Sequence, residues 1–266
     1  MTNIKTWLSA MRLRTLPLSV SGIIIGACFG YYDGHFDWLV FIFAIALTIG
    51  FQILSNLSND YGDGVKGTDN ENRVGPERAI QSGQITEPQM LDAIRKNILI
   101  VIVLTVGLVF ASFGTKYFLY GLLFLVLGGL AIYSALTYTI GKSAYGYRGL
   151  GDLFVFIFFG LISVIGSYFL FTKQLEHFVI LPAISVGLLS VGVLNLNNMR
   201  DIDSDKLSNK ITLAVKLGHK NSKTYHVILI GGAILLSFVF SILYYTSAWN
   251  FIFYVTYIPL ILHVKK

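Results

Sequence analysis

Asn56, Asn59, Asp60 and Asp63 follow one another at i, i+3, i+4 and i+7, a spacing that puts four side chains on one face of a helix. They close an apolar run and open a charged stretch, Asn56 to Thr86, that sits between two such runs. A carboxylate deep in a bilayer costs about 2.5–3.5 kcal/mol at the extreme. Such a stripe therefore asks for more than helix capping or loop solvation. Oxygen donors of this kind hold a hard divalent cation, and Mg²⁺ typically takes one or two carboxylates plus the phosphates of a ligand. Asp69, beyond Gly64 and Gly67, reads equally as a further ligand folding back or as a turn residue. A second acid group, Asn197-Asn198-Met199-Arg200-Asp201-Ile202-Asp203-Ser204-Asp205, ends another apolar run. Asp201 and Asp205 face one way, Asn197 and Asn198 lie one turn earlier, and Asp203 is turned about 200° away toward solvent. Two acid clusters in so apolar a chain suggest two jaws on one anionic group.

Cations stand beside both clusters. Arg73 and Arg78 flank Gly75-Pro76, Lys142 follows an apolar run, and Arg200 and Lys210 bracket the second cluster. Taken singly, each reads as a membrane anchor; as a set they fit a diphosphate with its metal ions, arginine as a fork and lysine as a point charge. Tyr138 precedes Lys142 by one helical turn, on the same face if the helix persists. A tyrosine face there could steady a developing positive charge, or the pair could be an interfacial aromatic beside a snorkelling lysine. Asp152, in Gly149-Leu150-Gly151-Asp152, is accounted for by a helix dipole. His35, His177, His219, His226 and His263 show no ligand spacing, and no phosphate-binding glycine loop or Gly-x-Ser-x-Gly nucleophile turn is present.

The elements that must position these groups are membrane spans. The chain has 266 residues, 55% hydrophobic and only 13% charged, against about a quarter charged in soluble domains. Apolar runs at 15–32, 38–57, 98–114, 117–140, 150–171, 178–198, 224–245 and 250–264 approach or exceed the roughly 20 residues that cross a bilayer. The basic N-terminal stretch resembles a signal peptide, but its apolar segment runs to Tyr32 without a clean cleavage site and reads as a retained first helix. With that start on the cytoplasmic side, 18 of the 20 Lys and Arg residues fall on that side together with both acid clusters. The net charge of +6 follows from this sorting. It reads as a lipid-facing charge, with no base-stacking stripe for nucleic acid. Cys28 is the single cysteine, so no internal disulfide can form. One all-α, polytopic transmembrane domain over 1–266 is the simplest reading, with a hint of a duplicated four-helix unit.

The motifs resemble those of a known family. Asn59-Asp60-Tyr61-Gly62-Asp63 with Asp69 resembles the first aspartate-rich motif of the UbiA-type intramembrane prenyltransferases, Asp201-x-x-x-Asp205 the second, and Tyr138-x-x-x-Lys142 a tyrosine–lysine motif between them. NLSNDYGDGVKGTDN, RVGPERAIQSGQIT, GLGDLFVFIFFG and NNMRDIDSDKLSNKITLAVKLG look like the branch that prenylates 1,4-dihydroxy-2-naphthoate in menaquinone biosynthesis. The resemblance implies a helical bundle around a central cavity, capped by cytoplasmic loops, in a bacterial cytoplasmic membrane. It implies Mg²⁺ as cofactor, with polyprenyl diphosphate and the naphthoate as substrates and no protein partner. It implies metal ligands among Asn59, Asp60, Asp63, Asp69, Asn198, Asp201 and Asp205. Asn56, Arg73, Arg78, Lys142 and Lys210 would hold the diphosphate, Tyr138 would face the carbocation, and Arg14 would hold the acceptor carboxylate. The family usually has nine spans. Eight are placed here, so the resemblance implies a chain truncated after HVKK or a bundle incomplete on one side. Rival readings are a prenyltransferase for another aromatic acceptor, such as 4-hydroxybenzoate, or a secondary transporter. The transporter would put its acids at mid-span rather than at span ends.

Overall fold

A computed structural model describes residues 3–71 and 74–264. Among the described residues, seven helical segments are long and apolar enough to cross a membrane. The first comprises α1 (Ile4–Met11), a 3-10 turn over Leu13–Thr15 and α2 (Leu16–Tyr32), with the break at Arg12 in a left-handed conformation, φ 51°. Then come α3 (Trp38–Val65), α4 (Glu87–Phe113) and α5 (Phe118–Thr137). The fifth span, Gly151–Thr172, joins α6 (Gly151–Val155), a π-helix over Phe156–Gly166 and α7 (Ser167–Thr172). The sixth span ends in α8 (Ile180–Arg200), followed by short α9 (Ile202–Leu207). The seventh is α10 (Leu213–Leu243), broken near its start at Gly218, φ 73°.

The expected eighth span is shorter than a full crossing: nine residues of 3-10 helix, Ala248–Thr256, then eight of α11, Tyr257–Val264. Three helices run beyond the apolar stretches that announce them. α3 continues to Val65 rather than ending at 57, α4 begins at Glu87 rather than 98, and α10 begins at Leu213 rather than 224. Polar side chains outside the hydrocarbon do not stop a helix whose ends are capped. Thr86 and Gln89 form a reciprocal capping box on α4, Asp37 caps α3, and the Thr212 hydroxyl caps α10. The extension of α3 carries Asn56 through Asp63 on one continuous helix.

α3 packs most extensively on α4, and α8 on α10. α2 lies against the fifth span through Gly22, Gly26 and Gly30, where a Cβ would collide with Ser163, Ser167 and Phe171. Small residues bring helix backbones close together in this way. Apolar packing is built in two tiers. One holds Val40, Ala44, Leu47, Val101, Leu108, Phe113, Leu170 and Phe171. The other holds Ala10, Leu54, Leu57, Ala79, Ile85, Met90 and Ile94, nearer the polar end. The segments after α3, α5 and α9 meet at that polar end. At the other end Tyr168 donates to Asp33 at 2.6 Å and Lys173 donates to the Leu170 carbonyl at 2.6 Å.

Candidate active site

The last turn of α3 delivers Asp63 to the polar end, and three other segments converge on it. Lys210, in the loop between α9 and α10, donates to Asp63 Oδ2 at 3.1 Å and stands 3.9 Å from Asp205 Oδ1. The side chains of Lys210, Asp63 and Asp205 are 12%, 10% and 8% exposed. Burial opposes the Lys210 charge, but Asp63 and Asp205 outweigh it and hold the ammonium above its ordinary pKa. From the segment between α5 and α6, Tyr147 donates to Asp63 Oδ1 at 2.7 Å and pairs with the Thr68 hydroxyl at 2.6 Å. Burial, reinforced by Asp63, holds its phenol well above the usual range. Lys66 donates to the Thr139 carbonyl at 2.6 Å and lies 4.1 Å from the Tyr147 ring centre. Its pKa is lowered by burial, raised in part by Asp63 and lowered again by Lys210.

Below this cluster opens an apolar cavity of about 370 Å³. Asn56, Asn59, Tyr138, Tyr145 and Asn197 line its polar mouth. Leu47, Leu108, Phe124 and Leu170 line it further in. One wall is the π-helix, through Phe158, Phe159, Ile162 and Ser163; π turns recur at functional sites. Tyr138 is wedged between Gly146 and Gly151: a Cβ on Gly146 would lie 3.1 Å from its Cζ, and one on Gly151 3.1 Å from its Oη. Surrounding protein pushes its phenol up to about 12, with Lys210 pulling it back in part.

The α3 stripe is divided rather than pooled. Asp63 turns to Tyr147 and Lys210, whereas buried Asp60 takes the Ala79 amide on Oδ2 at 3.3 Å, with Arg12 and Arg78 its main opposite charges. Asp60, Arg12, Arg14 and Arg78 line a second, polar pocket of about 260 Å³. Three residues on a helix are −60° apart, enough at its end for neighbours to address different loops. Asn56 donates to the Met11 carbonyl at 2.9 Å, holding α1, while still reaching the cavity mouth.

Several expectations are corrected. Asp201 and Asp205 have different nearest cations: Arg200 donates to both oxygens of Asp201 at 2.7 and 2.6 Å, and Asp205 stands 3.9 Å from Lys210 while still acting on Arg200. Tyr138 and Lys142 do not share a helical face. α5 ends at Thr137, the chain turns through Gly141 at φ 91°, and Lys142 is exposed. Lys210 is the lysine that acts on Tyr138. Arg78 belongs to the Asp60 pocket, not to the Asp63–Lys210–Asp205 cluster. Asn197 rather than Asn198 lines the cavity. Arg73 lies outside the described residues. Asp69 is buried, with its backbone amide on the Asp63 carbonyl at 3.4 Å, so its loop does fold back. Asp203 is exposed, as expected. Tyr147 and Lys66 were not legible as site residues, since an aromatic and a lysine in loops carry no periodic signal. No group of three or more His, Cys, Asp or Glu side chains that could hold a metal ion forms among the described residues. The donors present are oxygens, and a hard cation binding here would draw further oxygens from its ligand.

A multi-pass helical bundle thus holds an apolar cavity whose polar mouth includes Tyr138, the residue on which Lys210, Asp63 and Asp205 act; these are the features of an intramembrane enzyme for a long apolar substrate. The chain belongs to the UbiA prenyltransferase family, whose model matches residues 19–265. It is 43% identical over 249 residues to the 1,4-dihydroxy-2-naphthoate octaprenyltransferase of Escherichia coli (strain K12), covering 94% of this chain and 80% of that protein. The protein of the same description from Haemophilus influenzae is 42% identical, over 94% of this chain and 81% of its own length. That from Mycobacterium tuberculosis is 33% identical, over 90% and 79%.

Proposed function

We propose that this protein transfers a polyprenyl group from polyprenyl diphosphate to 1,4-dihydroxy-2-naphthoate, yielding demethylmenaquinone in its reduced, quinol form, with pyrophosphate and carbon dioxide, in menaquinone biosynthesis. The observation that carries the reading is Tyr138, which lines the apolar cavity and at the same time feels the charges of Lys210, Asp63 and Asp205. The relatives' names support the acceptor. The prenyl chain lies along the apolar wall, and its diphosphate passes Tyr138 at the mouth toward Asp63 and Asp205.

Asp63 and Asp205, with Asn59 and Asp69 nearby, would hold Mg²⁺, which supplies charge neutralisation for the leaving pyrophosphate. The protein's own groups do the rest. As the allylic C–O bond breaks and its electron pair passes to pyrophosphate, Lys210 and Lys66 absorb the growing negative charge. The Tyr138 ring faces the allylic cation and the apolar wall keeps water from it. The ring carbon bearing the carboxylate forms the new C–C bond. The carboxylate then leaves as carbon dioxide, and its electron pair restores the aromatic ring. Arg14, grouped with Arg12 and Arg78 in the polar pocket, would receive the acceptor carboxylate. Orientation with these loops in the cytoplasm is supported by the sorting of basic residues across the seven spans, 16 of the 18 that precede residue 243 falling on that side.

The test is release of pyrophosphate and carbon dioxide from membranes carrying the protein, supplied with both substrates and Mg²⁺ and then with chelator. Release of both, abolished by chelator, is expected. Pyrophosphate without carbon dioxide would move the acceptor to another aromatic ring, and neither product would overturn the reading.

A further inference from the structure

Tyr147 reaches Asp63, Thr68 and both lysines of the polar cluster. Its hydroxyl proton goes to Asp63 Oδ1 at 2.7 Å, so the Thr68 hydroxyl at 2.6 Å is the donor to its oxygen. Thr68 itself is fixed, buried, with its backbone amide on the Asp63 carbonyl at 2.9 Å. The relay runs Thr68 to Tyr147 to Asp63, entirely through short bonds. On the other side, the Tyr147 carbonyl accepts the Ile211 amide at 3.2 Å, next to Lys210 in the chain. The ring lies 4.1 Å from the Lys66 ammonium and 5.5 Å from that of Lys210. Gly146, just before it, is wedged under Tyr138. One side chain therefore contacts the first acid motif, the loop behind it and both lysines, and its backbone pins the loop after the second acid motif.

Asp63 consequently has its two oxygens assigned to different partners: Oδ1 to Tyr147 and Oδ2 to Lys210. A carboxylate held only through Oδ2 would rotate about its own bond as the lysine moves. The hydroxyl stops that rotation and keeps Oδ2 on the side of Lys210, whose ammonium also approaches Asp205. Partners of this kind orient metal-ligating groups, and losing them typically costs about 10–100-fold in metal affinity or activity.

We infer that Tyr147 is a positioning residue, orienting the Asp63 carboxylate for a divalent cation and tying the two acid motifs into a single diphosphate site. This rests on the transferase reading above. A purely architectural tyrosine would act through its ring and backbone, both of which Tyr147→Phe keeps. The experiment titrates Mg²⁺ calorimetrically into purified protein mixed with farnesyl thiolodiphosphate, a donor analogue that resists transfer. It is done for wild type, Tyr147→Phe and Thr68→Val, with unfolding midpoints measured without ligand. Tyr147→Phe is expected to raise the half-saturating Mg²⁺ concentration by about 10–100-fold. Thr68→Val should shift it the same way by less. In turnover the loss falls on Mg²⁺ dependence and donor KM rather than on kcat at saturating Mg²⁺. Unchanged or tighter Mg²⁺ dependence in both variants would overturn the role of Tyr147 while leaving the transferase reading intact. Absence of any Mg²⁺-dependent analogue binding in wild type would overturn both.

Discussion

Replacing Lys210 by Met tests whether the polar cluster is held together by charge. The ammonium stands 3.1 Å from Asp63 and 3.9 Å from Asp205. At an effective dielectric near 20 those separations correspond to attractions of about 5 and about 4 kcal/mol before desolvation is subtracted. Desolvation removes much of that gain, yet deleting one partner of a buried pair still costs about 3–5 kcal/mol because the remaining charge is stranded. Here two carboxylates would be stranded facing each other. Lys210→Met is therefore expected to lose about 3 kcal/mol, an unfolding midpoint lower by roughly 6–12 °C for a chain of this size. A divalent cation with pyrophosphate neutralises the same carboxylates, so adding Mg²⁺ and pyrophosphate should narrow the gap to wild type. The assay is thermal unfolding in detergent, with and without those ligands. A variant as stable as wild type without ligand, or one whose deficit is untouched by Mg²⁺ and pyrophosphate, would refute the reasoning.

Other perturbations address the remaining parts. Gly26→Leu drives a side chain into Ser167 and the Tyr168 amide; a destabilisation of at least about 1–3 kcal/mol is expected, read from the unfolding midpoint. Gly62→Ala brings a methyl within 2.8 Å of the Thr139 backbone carbon. It should push the end of α5 away from α3 and weaken donor binding, seen as a raised KM with the protein still membrane-inserted. Tyr138→Phe keeps the aromatic face and should retain most of kcat. Tyr138→Leu should lose on the order of tenfold, from a cation–π contribution of about 0.5–2 kcal/mol; equal rates in the two variants would remove the ring from the chemistry.

The spans were legible because a helix in lipid must bury every backbone polar group within itself, and runs near 20 apolar residues have few other uses. Their true ends were not, since α3, α4 and α10 continue on capped, charged sequence that hydropathy cannot distinguish from loop. The acid motifs were legible as chemistry, but periodicity names a face and not the partner opposite. Asp60 and Asp63 share a stripe, and the loops packed on that helix end give them different partners. The Tyr138–Lys142 spacing assumed a helix that stops at Thr137. Lys210 could be suspected from its position after the second motif; Tyr147, set between two glycine-rich turns, could not.

Residues 3–12 form a lintel over the polar end. Ala10 is buried among Leu54, Leu57, Ile85 and Met90. Thr6 bonds to Gln84 at 2.9 Å, and the Met11 carbonyl holds Asn56. During synthesis this segment precedes every one of those partners, the last of which lies at the start of the third span. The growing chain must carry α1 at the bilayer surface, its apolar face uncovered, until α3 and α4 have been inserted. The Asn56 end of α3 is thus covered by a segment made before it, in a step that waits for α4.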